Sequence, residues 1–231
     1  VRGAKINEYL LEKSRVSHQD PGEKNFHIFY YMLGGIPDEE KQVYGLLQPS
    51  LYRDCLPHGV SQGRDCVPHR VSQGRDSLIH VLPLFYQEEL DLKVILSGVL
   101  SLGNVVFEPQ ESGGVGVCPT AMGWLKAAAF GVQEEELLSC LTCTLSLTRG
   151  ESIRRLHSQQ QAEDSRDSIA RGVYSRLFGW IVCKINELLA GDMDMGKELQ
   201  EIGILDIFGF ENFSVNRFEQ LCINLANEQL Q

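Results

Sequence analysis

The sequence predicts an α/β fold that is mainly helical, and three stretches carry that prediction. Residues 161–189 repeat apolar side chains at about every fourth position (Ile169, Val173, Leu177, Ile181, Ile185, then Leu188 and Leu189, with Trp180 beside them), the signal of a long helix. Residues 94–109, VILSGVLSLGNVVFEP, read as a buried helix stopped at Gly103 and followed by a short strand. Residues 203–231 read as an apolar strand (Ile204–Phe208), a glycine turn at Gly209 between Asp206 and Glu211, and an amphipathic helix from Val215. That helix would place Phe218, Leu221, Cys222 and Leu225 on one face.

Bulk properties narrow the classes. With 231 residues, 43% of them hydrophobic, the chain can bury a core as one large domain or two small ones. A net charge of −10 argues against a general nucleic-acid binder or a protein of anionic membranes. No apolar run approaches the length of a membrane span, and the first residues lack the apolar core and cleavage site of a signal peptide. The chain opens on Val1 instead of Met, which leads to the expectation of an internal fragment. Seven cysteines, an odd number at irregular spacing, fit reduced cytosolic thiols.

The remaining elements follow in chain order. Residues 3–16 carry Ile6, Tyr9, Leu10 and Val16 near helical spacing, an amphipathic segment with a strand-like end. NFHIFYYMLGG (25–35) is a helix stopped by Gly34 and Gly35, and PDEEKQVYGLL (37–47) opens another with Asp38 as N-cap. RDCLPHGVSQG (53–63) then repeats as RDCVPHRVSQG (64–74), with a third copy beginning at Arg75. The prolines forbid a continuous helix there. The Cys55/His58 and Cys66/His69 pairs sit closer together than in zinc modules, so residues 53–86 read as a disordered or aberrant insertion.

QESGGVGVC (110–118) evokes a phosphate-binding loop but lacks its Lys-Ser/Thr, and reads as a surface loop. TAMGWLKAAAF (120–130) is a helix closed by Gly131, and QEEELLSCLTC (133–143) a short amphipathic one, with Cys140 and Cys143 as packed thiols on its apolar face. Residues 145–159 are polar and locally basic (Arg149, Arg154, Arg155), the pattern of a solvated hairpin. Asp192–Gly196 is a turn with too few carboxylates for a calcium loop.

The last stretch also carries a resemblance. DIFGFE followed by NFSVNRFEQLCINLANEQLQ closely resembles the switch II loop and relay helix of the myosin motor domain. GAKINEYLLEKSRV is similar to the segment that follows switch I in that family, and the likeness covers residues 3–52 and 94–231. GEKNFHIFYYMLGG looks most like class III unconventional myosins, and the RGE loop with DSRDS also resembles class X.

The resemblance implies a partial motor of the P-loop NTPase type, with the upper 50-kDa region in residues 1–52, the repeat in 53–86, and switch II with the start of the relay helix within 87–231. Asp206 would then hold Mg²⁺ through a water, the Gly209 N–H would bond the γ-phosphate of ATP, and Glu211 would pair with a switch I arginine and help hold the attacking water. The helix would carry loop closure onward as a two-position element.

The loop bearing Arg149, Glu151, Arg154 and Arg155 would touch actin filaments, Glu151 standing where the family needs an acidic or phosphorylatable residue. No Walker-type lysine and no NxxSSRF string occurs. The parent would be an ATP-driven motor of the cytoplasmic actin cytoskeleton, completed by the missing remainder of the motor domain. This chain alone is expected to bind MgATP weakly and not hydrolyse it. A non-catalytic actin-binding pseudo-motor and an incomplete gene model with no activity of its own are the alternatives.

Overall fold

The computed structural model describes residues 2–19, 23–44, 46, 52, 86–111, 113–128, 130–148, 151–190 and 200–231. Arg149 and residues 53–85 of the insertion expected over 53–86 lie outside the described residues, as does the turn at 192–196, while Tyr86 belongs to a helix. The chain divides into two units, Arg15–Leu177, and Val1–Ser14 together with Phe178–Gln231.

A 3₁₀ turn (Lys13–Val16) falls where the sequence passes from one unit to the other, and α1 (His27–Gly35) is the first helix of the Arg15–Leu177 unit. Buried Asn25 organises the junction: its Nδ2 donates to Val16 O at 3.1 Å, and its N–H donates to the Tyr30 hydroxyl at 3.2 Å. After His27 the α1 helix is mostly apolar, and it buries Phe29, Tyr30, Met32 and Leu33. Next, α2 (Asp38–Val43) starts at Asp38 itself, with Pro37 in the cap position and no side-chain cap bond, so Asp38 is not the N-cap. Proline there is favourable because its φ is already set and no N–H is left over.

The α3 helix (Tyr86–Gly103) supplies the centre of the core, with Leu92, Leu96, Val99, Leu100 and Leu102 at most 2% exposed. Each such leucine stabilises the fold by roughly 1.5–3 kcal/mol through burial. Gly98 has a packing reason: a Cβ there would lie 2.6 Å from the Phe130 ring. The chain then forms a hairpin of β1 (Phe107–Pro109) and β2 (Val115–Val117), its turn made by Gly113 and Gly114 at φ +87° and +76°. Residues 110–118, read from the sequence as a surface loop, thus include a paired strand, Val115–Val117, with Val115 and Gly116 buried.

A 3₁₀ turn (Pro119–Ala121) leads into α4 (Met122–Ala127), which packs on α3 and on α5 (Glu134–Thr142). Cys140 is exposed and Cys143 buried on the following strand, so the pair does not share an apolar helix face. The helix ends at Thr142, because the chain must turn there to pair as a strand.

That strand, β3 (Cys143–Thr148), pairs antiparallel with β4 (Glu151–Leu156) and leads to α6 (Gln159–Leu189). Ser158 and Gln161 cap α6 reciprocally: Gln161 N–H donates to Ser158 Oγ at 3.3 Å and Ser158 N–H to Gln161 Oε1 at 2.9 Å. In this unit α6 buries Ala162, Ala170, Tyr174 and Leu177, so the covered stripe runs through Ala170 and Tyr174 instead of Ile169 and Val173. Tyr174 stacks on Phe26 (centroids 4.7 Å apart) and meets Phe29 at 5.5 Å. Burial there pushes its phenol above the usual tyrosine range.

In the second unit, residues 2–12 form no helix, contrary to the amphipathic pattern. They run along the 178–189 part of α6, where the Asn186 side chain acts as a local strand partner: Ile6 N–H donates to its Oδ1 at 2.7 Å and its Nδ2 donates to Ile6 O at 2.9 Å. Ala4 N–H adds a bond to Leu189 O at 2.8 Å. The approach is close enough that a Cβ at Gly3 would lie 2.6 Å from Ala190 O.

Residues 200–213 are also outside any ladder, so the strand read at Ile204–Phe208 is not formed among the described residues. A strand needs neighbours for its N–H and C=O groups, and the paired strands described are those of the two hairpins. Ile202 and Ile204 are accordingly more than 90% exposed. The last helix, α7 (Phe218–Leu230), begins three residues later than the pattern indicated. Its Gln220 side chain accepts the Arg217 N–H at 2.8 Å.

Candidate functional site

Two groups of sequence-predicted residues can be located, one in each unit. The first is the turn 206–211 with α7. Phe218, Leu221 and Leu225, expected to form the covered face of α7, are more than half exposed, and Gln220 and Ile223 are the buried residues. The helix presents amides to the loop. Asn224 clasps the backbone of Glu211 from both sides, accepting its N–H and donating to its C=O, each at 2.8 Å. One turn on, Asn227 donates to Phe208 O and to Ile223 O, both at 2.9 Å.

Gln220 Nε2 reaches Glu211 Oε2 at 3.4 Å, and Asn216 exchanges two bonds with the backbone of Phe213 at 2.9 and 3.0 Å. Backbone groups that a strand ladder would leave unpaired at its end are therefore satisfied by helix amides. The loop cannot move without breaking several such bonds or taking α7 with it.

Of the predicted residues, Glu211 is half-buried and held as described, whereas Asp206 and Gly209 are exposed. Asp206 has no hydrogen-bond or ion-pair partner among the described residues and lines a cavity of about 810 Å³ with Lys5, Tyr9, Ile204, Phe208 and Asn227. Gly209 lies outside the left-handed region, and a Cβ there would meet nothing within 4 Å, so no protein contact demands a glycine. Among the described residues no group of three or more His, Cys, Asp or Glu could hold a metal ion. Asp206 shares that cavity with the cation Lys5, and no catalytic step follows from these residues alone.

The second group lies on the β3–β4 hairpin, which matches the expected solvated form: every residue of β4 is exposed. Strand alternation puts Arg154 and Arg155 on opposite faces, across from Leu145 and Thr144. Glu151 stands at the turn, opposite Thr148.

The hairpin base is fixed by His157, which the sequence reading did not single out. It is 8% exposed, with Nδ1 2.8 Å from Leu141 O and Nε2 2.7 Å from Thr144 Oγ1, and its N–H donates to Thr142 O. Arg154 Nε donates to Cys143 Sγ at 3.1 Å. The amides of α7 were missed as well; their one legible signal is Asn224 and Asn227 spaced one turn apart beside the acidic turn.

Comparison with known proteins bears on both groups. The family model described as Myosin head (motor domain) matches residues 1–231. Unconventional myosin-VIIb of Mus musculus is 41% identical over 238 residues, unconventional myosin-IXb of Rattus norvegicus 39% over 236, and myosin-IIIb of Mus musculus 38% over 242. Each alignment takes in the whole chain but only 11%, 12% and 18% of those proteins respectively.

Proposed function

Because the chain belongs to the myosin motor-domain family, we propose that it is a segment of an actin-based, ATP-driven motor of the cytoskeleton. It contributes the nucleotide-sensing loop at 206–211 and an actin-contact hairpin at 143–156. In the complete motor Asp206 would face Mg²⁺ through a water, the Gly209 N–H the γ-phosphate, and Glu211 an arginine supplied from outside this chain. Arg149, Glu151, Arg154 and Arg155 would meet an acidic filament.

The observation that carries the sensing role is the amide clasp between residues 208–211 and α7. It ties the loop that would meet phosphate to a helix long enough to report its position. A second reading, an actin-binding segment without nucleotide control, draws on the hairpin anchored at His157.

Titration calorimetry of the chain with MgATP tests how the work is divided. No saturable heat at micromolar nucleotide is expected, since the phosphate cradle must come from elsewhere in the motor. A micromolar site would contradict the proposal that this segment senses nucleotide held by other residues.

A further inference from the structure

We propose that Ser158, at the junction of β4 and α6, is a phosphoacceptor for a kinase that recognises arginine ahead of its target; only the consequence for partner binding rests on the reading above. Arg155 and Arg154 precede it by three and four residues, both exposed on β4. Among the described residues β4 pairs with β3 alone, so its other edge is open, and Arg154–Leu156 already has the extended form in which one chain lies along another.

The arginines are available for such recognition. Arg155 has no hydrogen-bond or ion-pair partner among the described residues, and the bond of Arg154 uses Nε, leaving its terminal nitrogens for a carboxylate. Ser158 is exposed, and its Oγ accepts one long bond from Gln161 N–H while its own proton is uncommitted.

In the transfer, Ser158 Oγ forms a bond to the γ-phosphorus of a nucleoside triphosphate. The bond from that phosphorus to the nucleoside diphosphate oxygen breaks, and the hydroxyl proton passes to a base of the kinase. The product carries a charge of about −1.5 to −2. That takes residues 151–158 from net positive to net negative, beside the arginines proposed to meet an acidic filament. The start of α6 tolerates the new charge, because a helix N-terminus favours an anion.

The test incubates the whole chain with MgATP and a purified kinase selective for arginine three residues before the acceptor, then maps the phosphate by mass spectrometry. One phosphoryl group at Ser158 is expected, lost in Ser158→Asn, which keeps a capping oxygen, and formed about tenfold more slowly in Arg155→Gln, the equivalent of one lost charge-assisted contact. An unmodified Ser158 in the folded chain overturns the proposal, including the case where a peptide of residues 151–161 is modified and the chain is not. So does a rate indifferent to both arginines. Actin pelleting of the modified chain should be weaker by on the order of fivefold; equal pelleting overturns the regulatory consequence. Should the unmodified chain not pellet at all, the partner reading fails while the mapped phosphate still stands.

Discussion

Ser101 is fully buried in α3, and its hydroxyl has no hydrogen-bond partner among the described residues. Ser97, one turn earlier, gives its hydroxyl to Tyr44 O and is satisfied. An orphaned buried hydroxyl costs about 1–3 kcal/mol, and alanine is also the better helix former. Ser101→Ala is therefore expected to raise stability by about 1 kcal/mol, read as a higher urea midpoint with an unchanged slope. A loss of similar size would show that the hydroxyl has a partner. The sequence shows why residues 94–103 are helical and buried, since the apolar run and the stop at Gly103 are both visible in it. It does not show that Gly98 is small to admit Phe130, because that contact joins residues more than thirty apart.

Among the elements, the helices were legible and their covered faces were not. Periodicity located α6, and glycine stops marked the ends of α1 and α3, although α3 begins at Tyr86 and not at residue 94; α7 turns amides toward the loop and leaves its apolar stripe exposed, since a stripe identifies a face without naming what lies against it. The strand at 204–208 failed for a related reason: its apolar residues fit a sheet, yet a sheet needs partners that no single stretch can declare.

The clasp predicts that the Glu211 amide exchanges slowly with solvent although the loop around it is exposed. Asn224→Ala should speed that exchange by about tenfold, as expected for losing roughly 1.4 kcal/mol of local hydrogen bonding. Fast exchange in the unaltered chain would mean that loop and helix move separately.

Taken whole, the molecule carries a net charge of −10 and presents a locally basic hairpin, Arg154 and Arg155 standing exposed on an anchored β4. The hairpin was readable as a polar segment between helices; its anchor at His157 was not, because the partners of that ring come from α5 and β3. No helix among the described residues is long and apolar enough to cross a membrane.

The most direct measurement is co-sedimentation of the purified chain with actin filaments, with and without MgATP. Binding that ignores MgATP and weakens by on the order of fivefold when Arg154 and Arg155 are both changed to glutamine is the expected result, with further weakening as salt rises. Binding released by MgATP would contradict the account, because it would require a working nucleotide site within these residues. Absence of binding by a folded chain would equally contradict the role given to the hairpin.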